Sequence, residues 1–172
     1  MNKEEILDFL NDNTIGYEIE EHKAVFTMEE LNDLNLLYPK RDAKNLFIRD
    51  DKKKNYYLLT VPGDKKIDLK EFRKNNNTRN LSFASSDDLF EFLKLTPGSV
   101  SPLGILNDED KKVIFYLDNY FFTDNKIIGV HPNDNKATIW IKSDDLINII
   151  KNHGNVVNVV DMWIFEKYSF LC

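Results

Sequence analysis

A lysine opens the apolar stretch Lys44-Asn45-Leu46-Phe47-Ile48, although three more, Lys52, Lys53 and Lys54, sit in the charged segment that follows. At a strand entrance a lysine can snorkel, its stem on apolar surface and its ammonium in water. It can also hold a positive charge at a pocket mouth, aimed at a phosphate or a developing oxyanion. Spacing alone leaves both open. The second stretch with chemical potential is Pro97-Gly98-Ser99-Val100-Ser101-Pro102-Leu103-Gly104. Its glycines and prolines shape a loop whose backbone can approach a ligand closely and offer free N–H groups. An ordinary helix-to-strand turn would use the same residues. Ser101 has no glycine two residues before it, so the loop is not a nucleophile elbow. No Gly-Lys-Ser/Thr follows, so it is not a phosphate-binding P-loop. His22, His131 and His153 are too scattered for a zinc signature. His22 and His131 stand at strand ends and could line a pocket rim, although a surface or core-edge imidazole with a local hydrogen bond is the better reading of each from the residues alone. His153 lies at a helix C-terminus, where a cation suits the dipole, and is assigned no function.

The elements that must position these residues follow from periodicity and caps. Residues 3–12 have helical spacing at Ile6, Leu7, Phe9 and Leu10, and 17–22 alternate like an exposed strand. Thr27-Met28-Glu29-Glu30 reads as a capping box that starts a short helix. Residues 44–61 form a β-hairpin with its charged turn at Asp50 to Lys54. Asp68 caps a helix through Phe72, before the polar connection RKNNNTRN. Ser85 caps an amphipathic helix carrying Leu89, Phe90, Phe92 and Leu93. Strands are expected at 113–117, 126–130, 137–141 and 156–160. A last helix is capped by Ser143-Asp144-Asp145 and stopped by Gly154. Without regular βαβ alternation, the pattern predicts a single α+β domain over residues 1–172, with a mixed, mostly antiparallel sheet surrounded by helices.

Composition narrows the class. A chain of 172 residues with 42% hydrophobic and 12% aromatic content is globular. Its 23 basic and 29 acidic residues argue against broad electrostatic capture of duplex nucleic acid and leave only a local basic patch. The single cysteine, Cys172, excludes a disulfide framework and a Cys-based zinc site. No apolar run reaches membrane-spanning length, and the start MNKEEILDF is too charged for a signal peptide, so a cytoplasmic protein is expected.

Six segments occur in one order: HKAVFTMEE at 22–30, KNLFIRD at 44–50, YYL at 56–58, LSFAS at 81–85, PGSVSPLGILND at 97–108 and HPNDNKATI at 131–139. Together they resemble the YbaK-like aminoacyl-tRNA deacylases, relatives of the editing insertion domain of prolyl-tRNA synthetase, and among these the freestanding ProXp-ala (PrdX) type. The resemblance covers roughly residues 3–153. It implies that Lys44 is the catalytic lysine and that Gly98, Ser99, Val100, Ser101, Pro102 and Gly104 line the aminoacyl site. Asn45, Asn107 and His131 match positions around that pocket, and Phe26, Phe47 and Val100 are candidates for its apolar wall. The implied reaction is hydrolysis of mischarged Ala-tRNA(Pro), with the 2′-hydroxyl of the terminal adenosine assisting water and no protein nucleophile, cofactor or metal. Hydrolysis of Cys-tRNA(Pro), or a non-catalytic module that binds tRNA or a synthetase, are the alternatives. The implied partner is the acceptor end of aminoacylated tRNA(Pro), with prolyl-tRNA synthetase as a further candidate, and a monomer is expected. Lys52, Lys53 and Lys54 are the candidate tRNA contacts, with Lys65, Lys66, Arg73, Lys74 and Arg79 behind them; a solvated surface explains any one of these equally well. Leu103 replaces a phenylalanine common in relatives and is expected to alter pocket shape. Gly98 and Gly104 are expected to serve ligand approach more than stability.

Overall fold

The computed structural model describes residues 1–27, 29–30 and 34–162. Its centre is the hairpin of β2 (Ala43–Asp50) and β3 (Tyr56–Pro62), antiparallel with Lys44 opposite Val61 and Asn45 opposite Thr60. The buried Asp50 carboxylate closes the turn. It accepts the backbone N–H groups of Lys52 (3.0 Å) and Lys54 (2.9 Å) and the Asn55 side-chain amide (2.7 Å). Every residue of β3 is buried, as expected of a strand covered on both faces.

The hairpin belongs to a five-stranded sheet of order β4-β2-β3-β5-β8, with β4 (Leu81–Phe83), β5 (Val113–Asp118) and β8 (Val157–Val160). β4 pairs antiparallel with β2, whereas β5 and β8 run parallel to their neighbours. The remaining strands make a second, antiparallel sheet of order β1-β7-β6: β1 (Tyr17–Glu21), β6 (Ile127–Val130) and β7 (Ala137–Lys142). The fold is α+β, as expected, but the strands are shared between two sheets. β8 pairs with the edge of β5, while β6 and β7 pair with each other beside β1.

One face of the larger sheet packs on the second sheet and on α1 (Lys3–Asp12), α3 (Ser86–Leu93) and α4 (Ser143–His153), around Ile6, Leu10, Leu58, Leu93, Phe115 and Leu117. The other face carries α2 (Leu69–Asn76), where Phe72 meets Ile48, Tyr57, Leu59, Val61, Tyr116 and Met162. Asn2, Asp68 and Ser85 cap the first three helices through their side chains. Ser143 does not cap α4: its hydroxyl donates instead to the Phe121 carbonyl at 2.7 Å, tying α4 to the 3₁₀ turn Asn119–Phe122. α2 runs past Phe72 to Asn76 because the left-handed Asn77 (φ +52°) ends it. Of the helix expected after Thr27, the hydrogen bond from Glu30 N to the Thr27 hydroxyl is present (3.2 Å); Met28 and residues 31–33 lie outside the described residues. So do residues 163–172 of the tail, Cys172 included.

Three expectations for the pocket are corrected here. Phe47 is buried in the main core, stacked on Tyr56 (5.8 Å between ring centres) and packed on Phe92 (6.4 Å), so it belongs to the core and not to a pocket wall. Leu103 is likewise fully buried, and its size bears on core packing. Gly104 lies beneath Leu95, where an added β-carbon would come within 2.5 Å of Leu95 Cδ1. That glycine lets a side chain approach, not a ligand. Phe47→Ala is expected to cost about 3–5 kcal/mol and Gly104→Ala about 1–3 kcal/mol, both read from urea unfolding.

Candidate active site at the head of strand β2

The chain enters β2 through a clamp. The Arg41 carbonyl accepts Gly129 N of β6 (2.8 Å), and the Asp42 carbonyl accepts Gly63 N just after β3 (3.1 Å). The pleat then sends successive side chains to opposite faces. Asn45 turns toward the main core: its oxygen accepts the Thr60 hydroxyl (2.7 Å) and its amide donates to the Val100 carbonyl (3.1 Å). Lys44 turns the other way. Its half-buried ammonium donates to the Lys65 carbonyl. Burial pushes its pKa below the ordinary lysine value; Asp64 pulls it up and Lys66 adds to the lowering. Lys65 is itself anchored, its ammonium paired with the fully buried Asp118 carboxylate. Asp118 also accepts the N–H groups of Tyr120 (2.9 Å) and Met162 (3.3 Å). Asp118 and Lys65 thus position the segment that holds Lys44. The sequence marks neither for this task, because their partners lie 53 positions apart.

Asn45 leads to the Gly/Pro loop. Within it Gly98 has φ +92°, a conformation that suits glycine, and an added β-carbon would stand 2.9 Å from Phe26 Cδ1. The Ser99 hydroxyl donates to the Thr96 carbonyl (2.9 Å), and the Ser101 hydroxyl donates to the His131 carbonyl. Pro102 starts a buried 3₁₀ turn, Pro102–Asn107. Phe26 is 67% exposed beside this loop. Its segment is tied to the His131–Ala137 turn by Val25 N to Asn135 O (3.1 Å) and Asn135 Nδ2 to Val25 O (3.2 Å). The fold therefore gathers Phe26, Asn45, Gly98, Val100, Ser101 and His131 at one place. His22, Asn135 and Thr138, outside the predicted set, join them.

Asn107 does not. Its amide donates to the Leu93 carbonyl (2.7 Å) and its oxygen accepts the Met1 amine, so it braces α1 and α3 against the 3₁₀ turn. Lys52, Lys53 and Lys54 stand exposed at the opposite end of β2. The cleft lined by Phe9, Asn13, Leu106, Asn148, Asn152 and His153 shares no residue with the gathered cluster.

His131 is the titratable group of the cluster. Burial lowers its pKa below 6.5; the Ala137 carbonyl and Asp134 oppose the shift, and His22 reinforces it. The ring is therefore neutral at pH 7. Its Nδ1–H donates to the Ala137 carbonyl (2.8 Å), which leaves Nε2 as an acceptor with no partner among the described residues. His22, with ring centres 6.2 Å apart, faces it. The His22 Nδ1–H donates to the Lys23 carbonyl (2.8 Å) and its Nε2 accepts the Thr138 hydroxyl (3.0 Å). Thr138 is 3% exposed, too buried for attack on a substrate. The hydroxyls of Ser99 and Ser101 are committed to carbonyls. Among the described residues no three His, Cys, Asp or Glu side chains stand together to hold a metal ion. The cluster offers amide donors and a neutral imidazole, and an anchored ammonium stands across β2 from it; these groups suit binding and oxyanion stabilisation better than nucleophilic attack.

Residues 22–149 match the family described as aminoacyl-tRNA editing domain, and the chain belongs to that family. It is 38% identical over 160 residues to the prolyl-tRNA editing protein ProX of Acetoanaerobium sticklandii, covering 93% of this chain and 97% of that one. It is 36% identical over 144 residues to the bovine prolyl-tRNA synthetase associated domain-containing protein 1, covering 82% and 84%. A solved structure presented as a candidate trans-editing enzyme for prolyl-tRNA synthetase shares the fold, with a TM-score of 0.73 and 18% identity over 94% of this chain and 96% of that one.

Two expectations follow. Asp118→Asn removes the fully buried carboxylate that anchors the Lys65 ammonium and should cost about 3–5 kcal/mol in urea unfolding. A histidine whose native pKa is depressed destabilises the fold as pH falls, because below 6.5 the unfolded chain takes up a proton that the native chain does not. Stability should therefore drop between about pH 7 and 5.5. His131→Asn, which keeps a donor for Ala137, should make that drop shallower. His153, lowered first by burial and then by Lys111, contributes with the same sign and accounts for a remaining part.

Proposed function

We propose that the protein is a trans-editing hydrolase that deacylates mischarged Ala-tRNA(Pro). The observation that carries this reading is the convergence of Asn45, the Gly98–Ser101 backbone, Phe26 and His131 at the head of β2, in a chain of the aminoacyl-tRNA editing family. The similarity to a protein named for prolyl-tRNA editing supports the tRNA(Pro) assignment.

An aminoacyl ester is already activated, so positioning and oxyanion stabilisation can supply most of the acceleration. Lys44 exchanges the Lys65 carbonyl for an oxygen of the terminal phosphate or of the ester. Because the ammonium is half-buried, the new bond is stronger than it would be in water. Loop N–H groups hold the ester, and the 2′-hydroxyl of the terminal adenosine orients the attacking water. His131 Nε2, neutral and unpartnered, accepts from the substrate amine or the water. The macromolecular partner is the acceptor end of tRNA(Pro), which Lys52, Lys53 and Lys54 contact through phosphates.

The need for such an activity is physical. A synthetase pocket built for proline cannot strongly exclude alanine, since small apolar differences are worth about 1–3 kcal/mol. A second, smaller site can hydrolyse what passes. Phe26 and Val100 form its wall, as Phe47 is withdrawn into the core.

Lys44→Ala should lower kcat/KM for alanyl-tRNA(Pro) by about 10²-fold or more, with an unfolding midpoint close to wild type; near-wild-type turnover would remove Lys44 from the mechanism. Purified protein assayed on alanyl-, cysteinyl-, seryl- and prolyl-tRNA(Pro) should prefer alanine and spare proline. Equal rates on alanyl and prolyl esters would overturn the size sieve, and preference for cysteine would reassign the substrate.

A further inference from the structure

We propose that the outward face of α2 is a docking surface for the phosphate backbone of a paired RNA stem. The inference extends the tRNA reading above, from the reacting end of the substrate to its helical stem.

α2 is sharply two-sided. Leu69 and Phe72 point into the second core, whereas Lys70, Arg73 and Lys74 are exposed and, with Asn77 and Thr78, line a shallow open groove. Lys66, also exposed, precedes the helix. None of Lys66, Lys70, Arg73 and Lys74 forms an ion pair among the described residues. Several cations elsewhere on the molecule are paired: Lys3 with Glu21, Arg49 with Asp88, Lys112 with Asp110 and Lys126 with Asp144. In a chain of net charge −6, four unpaired cations along one segment are a local concentration that the overall balance opposes. Such a patch is the electrostatic footprint of a polyanion.

Both ends of the segment are anchored to the rest of the candidate machinery. At its start, the carbonyl of Lys65 holds the Lys44 ammonium. At its end, the Arg79 guanidinium makes two bonds to Asp51 (2.7 and 3.2 Å), and Asp51 N donates to the Asn80 carbonyl (2.9 Å). This places Lys52, Lys53 and Lys54 beside the C-terminal end of α2. The cations therefore form a track from the surroundings of Lys44, along a helix about 12 Å long, to the hairpin tip. The track's order fits a substrate whose terminal ester sits at the head of β2 and whose stem runs along α2. The groove lining contains no aromatic ring on which an unpaired base could stack. That favours the backbone of a paired stem over a single strand.

The test is the binding of uncharged tRNA(Pro) to the full chain as a function of salt, which succeeds or fails independently of ester hydrolysis. Each phosphate contact adds about 0.7–0.9 to the slope of log affinity against log salt. The triple variant Lys70→Glu, Arg73→Glu, Lys74→Glu should weaken binding by about tenfold or more at 0.1 M NaCl and reduce the slope by about two. The charge-conserving variant Lys70→Arg, Arg73→Lys, Lys74→Arg should bind like wild type. An affinity and slope within twofold of wild type for the triple reversal would overturn the proposal. So would an equal loss of affinity in the charge-conserving variant, since that would show a dependence on α2 structure and not on its charge. A protein that binds tRNA through α2 yet hydrolyses no aminoacyl ester would leave this surface standing and remove the deacylase reading.

Discussion

The pleat of β2 is the constraint on which the candidate site depends. Lys44 and Asn45 are neighbours in sequence, yet a strand must send them to opposite faces. One meets the Gly63–Lys66 segment and the other meets the Gly/Pro loop. A slip of one residue in the pairing of β2 with β3 would exchange the two faces and dismantle both sets of contacts. Several interactions hold the register. Asp50 closes the turn with three close donors, and Asn45 and Thr60 bond across the strands. Arg49 reaches Asp88 on α3 at 3.5 Å, and the Asp88 carboxylate accepts the Tyr56 hydroxyl (3.2 Å).

Charge is organised in the same way, by placement more than by amount. Asp50 and Asp118 are fully buried, and each is saturated with donors. Burial alone would raise the Asp50 pKa, but the N–H groups of Lys54 and Lys52 and the Asn55 amide outweigh it, so the carboxylate titrates below its ordinary range. At His131 burial prevails and keeps the ring neutral. The neutral His131 acceptor lies with Asn45 and the Gly/Pro loop, and the half-buried Lys44 ammonium meets the Gly63–Lys66 segment on the other face of β2.

What the sequence determined on its own was local. Side chains capable of capping lie within three positions of the amides they satisfy, so the caps at Asp68 and Ser85 and the stop at Gly154 could be read directly. Alternating apolar residues around a charged turn defined the β2–β3 hairpin, and six ordered segments indicated the editing family. Only the tertiary structure decided which face each residue serves, because that depends on packing partners far away in the chain. Phe47 has the composition of a pocket wall but meets Tyr56 and Phe92, and the space above Gly104 is filled by Leu95. Ser143 looks like a cap but finds Phe121, and Asn107 bonds the Leu93 carbonyl and the Met1 amine. The pairing of Lys65 with Asp118 and the assembly of the α2 cations with the hairpin tip through Arg79 and Asp51 likewise join residues separated in sequence by dozens of positions. Hydrogen bonds and burial reward proximity in space, and over such separations only the folded chain specifies it.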